Sequence, residues 1–262
     1  MPADPAELLA LAERLASAAA AELRNRPTDL QTGAKSTPTD AVTVMDRRAE
    51  ALILDGLATA RPHDRIVAEE SGDNDRNDAE VTWYVDPLDG TVNYLYGIPQ
   101  YAVSIAAAIG DDVVAGVVVD VARDETYAAV RGRGAKRQLE PLRCTTQTDP
   151  ALALVGTGFD YSAATRAEQA RVLAQLLPKV RDIRREGSAA LDLCAVAAGR
   201  LDAYYESCRY PWDWAAGALI AREAGARVDG LRGQPPGTGV LLAANPTLFG
   251  RLHELLVAAG AA

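Results

Sequence analysis

The sequence predicts a mixed α/β protein whose two halves arrange their strands differently. In the first half, three β-type segments follow one another with only short turns between them, which predicts an antiparallel meander. In the second half, strand and helix segments alternate, which favours a more parallel arrangement. The chain has 262 residues, of which 48% are hydrophobic, so it can bury a large core in one domain or in two small lobes.

The N-terminal part predicts two helices separated by a polar loop. Asp4 supplies an N-cap for the first helix, which should end near Arg24, and a proline and a glutamate occupy favourable positions in its first turn. A polar loop over residues 35–40 and a short period-2 segment over residues 42–44 follow. A second helix is predicted over residues 46–59.

The stretch at residues 83–91 is the most informative part of the chain. It reads as a buried strand that stops at Asp86 and continues into a tight loop that carries Asp89. Pro87 fixes one backbone angle and Gly90 permits close backbone approach, so both carboxylates can point into one small volume. Mg²⁺ prefers such oxygen ligands. An ordinary turn has the same composition, and the stretch alone leaves that alternative open.

The first half continues with a short helix and the meander. Residues 91–96 predict a helix whose first amide groups would face whatever the two carboxylates hold. The meander strands are predicted at residues 101–109, 113–121 and 126–130. A glycine-rich turn at residues 131–134 lacks the third glycine and the strand-to-helix context of a dinucleotide-binding fingerprint.

The polar composition near residues 144–150 suggests a boundary between an N-terminal lobe at 1–147 and a C-terminal lobe at 148–262. Beyond it, strands and helices are predicted in alternation. In chain order they are a strand at 151–156, a helix at 165–177, a helix at 188–198, a strand at 201–206, a helix at 213–224, a strand at 239–243 and a helix at 246–259.

Charge and composition exclude several classes of function. Lys and Arg number 27 against 36 Asp and Glu, a net charge of −9, which argues against nucleic acid or anionic membranes as partners. The three cysteines have no CxxC spacing, so neither a disulfide framework nor a zinc site is predicted. The only histidines, His63 and His253, are expected at the surface, which disfavours phosphohistidine or zinc-histidine chemistry. Without a recognisable signal peptide or long apolar run, we expect a cytoplasmic protein.

Three motifs carry a resemblance to a known family. Glu-Glu-Ser at residues 69–71, Asp-Pro-Leu-Asp-Gly-Thr at 86–91 and Trp-Asp-Trp-Ala-Ala-Gly at 212–217 occur in this order. With them the chain resembles the inositol monophosphatase family of Mg²⁺-dependent phosphomonoesterases over nearly its whole length. The resemblance implies a layered αβαβα sandwich of the inositol monophosphatase and fructose-1,6-bisphosphatase type. It further implies hydrolysis of inositol monophosphate, a small-molecule phosphate ester, together with inhibition by lithium and a homodimer.

The resemblance also implies roles for individual residues. Four acids would bind two or three Mg²⁺ ions: Glu69, Asp86, Asp89 and Asp213. The backbone carbonyl of Leu88 is available as a further ligand. Thr91 and Asp46 would take the proton of the attacking water, with Glu70 as a further candidate that could bind metal water or only solvent. The proposed substrate-binding residues are Asp89, Gly90, Thr91, Gly187, Ser188, Ala189, Glu206 and Asp213, with Glu206 directed at ring hydroxyls.

Each of these residues also has a structural interpretation. Asp46 and Asp213 could simply complement the dipole of a helix start, and Thr91 could be a helix N-cap. Glu206 could be an exposed acid at a strand end, and Lys35, where the family often has a lysine, could be an ordinary loop residue.

Two functional alternatives stay open at this stage. The ester could be another small phosphate, such as histidinol phosphate, a 3′-phosphoadenosine nucleotide or a sugar bisphosphate. The protein could also be a regulatory binding protein on the same fold.

Overall fold

The computed structural model describes residues 3–261 of the chain. Helices and sheets alternate in five layers, in the order helix, sheet, helix, sheet, helix. This arrangement confirms the αβαβα sandwich expected from the sequence. Three apolar clusters fill the spaces between successive layers.

The first layer consists of α1 (Pro5–Arg24) and α2 (Val44–Ala60), whose apolar faces pack on one side of the larger sheet. The predicted cap of α1 is confirmed, because the Asp4 carboxylate accepts a hydrogen bond from Ala6 N at 2.9 Å. Helix α2 begins two residues earlier than predicted. Its N-cap is Thr43, a residue that the sequence analysis assigned to a strand.

Eight strands form the larger sheet, preceded by the two-stranded pair β1 (Gly33–Ala34) and β2 (Ala41–Val42). They are β3 (Arg65–Ala68), β4 (Gly72–Asp73), β5 (Val81–Asp89), β6 (Ala102–Ile109), β7 (Asp112–Asp120), β8 (Glu125–Val130), β9 (Ala135–Arg137) and β10 (Glu140–Pro141). Their order is β10-β9-β8-β7-β6-β5-β3-β4. All neighbours are antiparallel except β3 and β5, so the predicted meander is confirmed. Strands β4, β9 and β10 were not predicted.

Strand β5 does not stop at Asp86 as predicted, but continues to Asp89. The register against β6 shifts between these two residues: Asp86 lies opposite Ser104 and Asp89 opposite Ala102. Pro87 has no N–H to donate, so the ladder is interrupted there and resumes beyond it. The bulge keeps both aspartates at the end of the strand.

The middle layer consists of α5 (Ala189–Ala197) and α6 (Pro211–Glu223), which lie between the two sheets. Both helices are apolar on nearly all sides, as expected for helices covered on two faces. The short helix α3 (Thr91–Tyr96) follows β5, as predicted.

The second sheet has five strands in the order β12-β11-β13-β15-β14. They are β11 (Leu154–Thr157), β12 (Asp182–Arg184), β13 (Ala203–Ser207), β14 (Arg227–Gly230) and β15 (Val240–Ala244). Strands β12, β11 and β13 are parallel, whereas β15 is antiparallel to both of its neighbours, so the sheet is mixed. The sequence analysis missed β12 and β14. Helices α4 (Ala163–Leu176) and α7 (Pro246–Ala258) form the outer layer.

One predicted strand start is wrong. Residues Pro150–Leu152 form a single 3-10 turn, because the Asp149 carboxylate accepts a hydrogen bond from Ala151 N and caps it. The division into lobes at 147/148 stays a prediction. Within residues 3–261, no helix combines the length and apolar character needed to cross a membrane.

Candidate active site

A cavity of about 130 Å³ opens where the end of β5 meets the starts of α3, α5 and α6. Five carboxylates line it, and they belong to Glu69, Asp86, Asp89, Glu206 and Asp213. Leu88, Gly90, Thr91, Gly187 and Ala189 complete the part of the wall that was predicted from the sequence. Of the other predicted residues, Ser188 and Asp46 contact the wall through hydrogen bonds, whereas Glu70 shares Lys35 with Glu69 and lines a different cavity.

Asp86 and Asp89 are oriented by hydrogen bonds from the backbone and from α5. Leu88 N donates to Asp86 Oδ1 at 2.9 Å, which closes the turn between the two acids. Asp89 Oδ2 accepts from Ser188 Oγ at 2.6 Å and from Ala190 N at 2.8 Å. The N-terminus of α5 therefore holds one oxygen of Asp89, which leaves Oδ1 for a ligand.

Two glycines allow the chain to turn tightly behind these acids. Gly90 has a φ of 94° and Gly187 a φ of 90°, conformations that other residues rarely adopt. A Cβ on Gly90 would lie 2.8 Å from Gln100 O and 3.3 Å from Gly187 O. Asn93 Nδ2 fixes this contact by donating to Gln100 O and to Glu186 O, both at 2.8 Å.

Thr91 and Asp46 form the buried pair that the resemblance implies as a proton acceptor. Thr91 Oγ1 lies 2.9 Å from Asp46 Oδ1 and 3.0 Å from Leu88 O. The N-cap of α3 is Gly90, and Thr91 makes no capping bond, so that structural alternative is wrong. Asp46 does have its structural role, because its Oδ2 accepts from Thr43 N at 2.8 Å and from Thr43 Oγ1 at 2.6 Å. Its two oxygens therefore serve two different purposes.

Lys35 lies against the two consecutive glutamates. Its Nζ is 2.8 Å from Glu69 Oε1 and also contacts Glu70 Oε1. Burial opposes the charge on Lys35, but Glu69 and Glu70 outweigh that effect and raise its pKa. Burial raises the pKa of Glu70 to about 7, even though Lys35 lowers it. Lys35 is thus an ion-pair partner in the site and not an ordinary loop residue.

The carboxylates that face the cavity are difficult to ionise together. Burial raises the pKa of Asp86 and Asp213 well above the usual value, and the charges of neighbouring acids add to it. Burial also raises the pKa of Glu69, against the influence of Lys35. The pKa of Asp89 rises to about 6 through burial, opposed by the hydrogen bonds from Ser188 and α5.

These features fit a hard divalent cation. The donors are all carboxylate or carbonyl oxygens, and Glu69 Oε2 is buried without a hydrogen-bond partner among the described residues. A cation would satisfy that oxygen and offset the mutual repulsion of the acids. Within residues 3–261, however, no three such side chains form a compact chelate. The acids line a common cavity, and two of them, Glu69 and Asp86, lie within hydrogen-bonding distance of each other.

Glu206 and Asp213 approach from the second half of the chain. Glu206 accepts a hydrogen bond from Tyr204 OH, and its carboxylate fills the space beside Gly158 that a Cβ would occupy. The interpretation of Glu206 as an exposed strand-end acid is therefore wrong. Asp213 is in the first turn of α6, between two partly buried tryptophans.

Five lining residues were missed by the sequence analysis: Phe159, Tyr161, Arg185, Ser207 and Cys208. Phe159 and Tyr161 follow the end of β11, and Ser207 and Cys208 follow Glu206. Arg185 lies two positions before Gly187. Its closeness in sequence to the predicted site segment 187–189 is the one feature that could have indicated it.

The comparisons with known proteins agree with this fold. The inositol monophosphatase family profile matches residues 4–261. Inositol-1-monophosphatase SuhB of Mycobacterium tuberculosis is 50% identical over 279 residues, covering 97% of this chain and 94% of that protein. The solved Mycobacterium tuberculosis SuhB structure has a TM-score of 0.84 at 47% identity and covers 98% of both chains. Nus factor SuhB of Salmonella typhimurium is 41% identical over 210 residues, 79% of each chain. The chain therefore belongs to the inositol monophosphatase family.

Proposed function

We propose that the protein is a Mg²⁺-dependent phosphatase that hydrolyses inositol monophosphate to inositol and phosphate. The main observation behind this proposal is a cavity lined by five carboxylates, whose mutual repulsion a bound cation would offset. The cavity lies beside the hydrogen-bonded pair Thr91 and Asp46. The SuhB relative at 50% identity, which is named an inositol-1-monophosphatase, supports the substrate.

The cations would be held by Glu69, Asp86, Asp89 and Asp213, with the carbonyl of Leu88 as a further ligand. When bound, two or three Mg²⁺ ions would supply positive charge to the phosphate oxygens and make a water molecule more acidic. Asp89 would be ready for this role, because Ser188 and α5 already hold its other oxygen.

Thr91 and Asp46 would take the proton of the attacking water. The Thr91 hydroxyl can accept a proton from water while it donates its own to Asp46 Oδ1 at 2.9 Å. Asp46 is kept in position for this transfer by Thr43, which binds its second oxygen. Glu70 pairs with Lys35 and lines a different cavity, so it would act only through Lys35 and solvent.

The alcohol part of the substrate would lie toward Glu206. Its carboxylate can accept hydrogen bonds from ring hydroxyls, and Tyr204 fixes its orientation. Gly187, Ser188 and Ala189 form the turn beside it. This division puts the reacting phosphate near the cation ligands and the ring near the second sheet.

Phosphate release from inositol 1-phosphate tests the proposal, with histidinol phosphate, a 3′-phosphoadenosine nucleotide and a sugar bisphosphate as competitors. We expect release with Mg²⁺ and none in excess chelator. Asp89→Asn should weaken the cation site by about 10-fold or more and lower turnover accordingly. Undiminished turnover in excess chelator would refute the metal mechanism. Faster phosphate release from one of the competing esters would identify that ester as the substrate in place of inositol 1-phosphate.

A regulatory function is the second candidate, because the Salmonella relative is named a Nus factor. Every acid expected to bind metal is present here, which favours catalysis. If the protein folds and binds Mg²⁺ but releases phosphate from no ester in the panel, that result would favour the regulatory function.

A further inference from the structure

Two turns of the backbone meet behind Asp89. One leads from β5 into α3 and contains Gly90, and the other, at residues 186–188, leads into α5 and is called the α5 turn below. A Cβ on Gly90 would lie 3.3 Å from Gly187 O, so the two backbones are in close contact. This contact joins the larger sheet to the middle helical layer at the edge of the cavity.

Asn93 links the two turns through its side-chain amide. Its Nδ2 donates to Gln100 O, which lies against Gly90, and to Glu186 O in the α5 turn, both at 2.8 Å. An amide nitrogen has two hydrogens, so these two bonds use both of them. The residue is only 6% exposed, and water therefore cannot easily replace it as a donor to the two carbonyls.

The α5 turn carries the groups that orient Asp89. Ser188 Oγ and Ala190 N, at and just beyond the end of this turn, both donate to Asp89 Oδ2. A displacement of the turn would move both donors, and with them Oδ1, the oxygen left for a cation. Asn93 does not line the cavity, so it can act on Asp89 only through this turn.

The same turn also forms part of the wall on the side proposed for the alcohol. Gly187 and Ala189 line the cavity together with Asp89. A Cβ on Gly187 would lie 2.9 Å from Asn93 Nδ2, so the glycine makes room for the amide at the point where the turn meets the cavity. One buried link therefore fixes both a proposed cation ligand and a proposed substrate contact.

We propose that Asn93 is a positioning residue, which holds the α5 turn so that cation binding at Asp89 and substrate binding at Gly187 and Ala189 depend on one contact. This inference rests on the proposed phosphatase function. Partners that orient a metal ligand typically change metal affinity by about 10- to 100-fold when they are removed. Asn93 would belong to this class although it contacts neither the cation nor the substrate.

Titration of the substrate-free protein with Mg²⁺, followed by calorimetry, tests the inference directly. Asn93→Ala should weaken Mg²⁺ binding by about 10-fold. It should raise KM for inositol 1-phosphate several-fold and leave kcat at saturating Mg²⁺ and substrate within about 3-fold. Ser188→Ala, which removes a donor to Asp89, should weaken Mg²⁺ binding by about 10- to 100-fold. The double variant should bind Mg²⁺ little more weakly than the weaker single variant, because both changes act through the α5 turn.

Tyr94→Phe is the matched control in the same short helix. Tyr94 is also buried and also donates to a backbone carbonyl, but its hydroxyl bonds Leu23 O in α1 at 2.7 Å, away from the α5 turn. Tyr94→Phe should lower the melting temperature and leave Mg²⁺ affinity and KM within about 2-fold of the wild type. If Asn93→Ala does not fold, Asn93→Ser replaces it, because a hydroxyl has one hydrogen and cannot serve both carbonyls.

The two readouts separate this inference from the phosphatase function. A lower melting temperature with unchanged Mg²⁺ affinity and KM in the Asn93 variant would make the residue only structural and would overturn the inference, while hydrolysis of inositol 1-phosphate would leave the function standing. Losses that multiply in the double variant would also overturn it. If the wild type binds Mg²⁺ but hydrolyses no ester, the function fails and the Mg²⁺ titrations alone decide the inference. A wild-type protein that binds no Mg²⁺ would overturn both.

Discussion

Replacing Thr91 by valine should remove the proposed proton relay and leave the fold intact. Valine keeps the shape of threonine but lacks the hydroxyl that lies 2.9 Å from Asp46 Oδ1. A positioned general base contributes about 10²- to 10⁴-fold to a rate. We therefore expect kcat for inositol 1-phosphate to fall within that range, with a smaller change in KM.

Thr43→Val provides a matched control on the same carboxylate. Thr43 Oγ1 donates to Asp46 Oδ2 at 2.6 Å and accepts from Met45 N at 3.1 Å, so this change also removes one hydroxyl beside Asp46. Loss of a helix cap costs about 0.5–2 kcal/mol of stability. Thr43→Val should therefore lower the melting temperature but affect kcat far less than Thr91→Val does.

A double-mutant cycle decides whether Thr91 and Asp46 act together. Asp46→Asn should lower kcat by about as much as Thr91→Val, because residues that act as one unit are not additive. The double variant should be little slower than the slower single variant. The relay would be refuted if the two losses multiplied, or if Thr43→Val reduced kcat as strongly as Thr91→Val.

Three further predictions concern substrate choice, pH and backbone conformation. Glu206→Gln should lower kcat/KM for inositol 1-phosphate by about 10- to 150-fold and leave p-nitrophenyl phosphate nearly unchanged; equal losses on both would mean that Glu206 is catalytic or structural. Burial raises the pKa of Glu70 from 4.5 to about 7 and that of Asp89 from 3.8 to about 6, so both bind protons more tightly when folded. In excess chelator, the free energy of unfolding should therefore decrease as the pH rises from about 4 to 7. Thermal melts at several pH values measure this dependence, and Glu70→Gln should make it weaker toward pH 7. Gly90→Ala should destabilise the fold by about 1–3 kcal/mol, because φ is 94° and the new Cβ would lie 2.8 Å from Gln100 O; an unchanged urea midpoint would contradict this.

Local patterns predicted the elements that depend on local chemistry. The Asp4 cap placed the start of α1 correctly, and the three strands of the meander were found because each contains a continuous apolar run. The start of α2 was misplaced because Val42 and Val44 suggested a strand. The capping box between Thr43 and Asp46 determines that boundary instead.

The missed strands depend on contacts that a local pattern does not contain. Strands β9, β10 and β12 are short and partly exposed, so they have little apolar alternation and form mainly by pairing with a neighbour. The end of β5 was misjudged because the residues after Asp86 have the composition of a tight loop. Pairing with β6 resumes at Asp89 and extends the strand past the proline.

The site, like the strands, combines features that the local sequence indicates with features that depend on distant contacts. The acids came from motifs, whereas the partners that orient them come from distant parts of the chain. Asp89 depends on Ser188 and Ala190, and Glu69 depends on Lys35. No spacing in the sequence indicates these pairs, since packing alone brings them together.

These partners hold in place the acids that are proposed to bind a cation. Each of three acids has one oxygen bound by the protein: Asp86 by Leu88 N, Asp89 by α5 and Glu69 by Lys35. Glu69 and Asp86 nevertheless lie within hydrogen-bonding distance of each other, and within residues 3–261 no three acids form a compact chelate. Because α5 holds Asp89 and α6 carries Asp213, the proposed cation site requires the middle helical layer to be packed against the larger sheet.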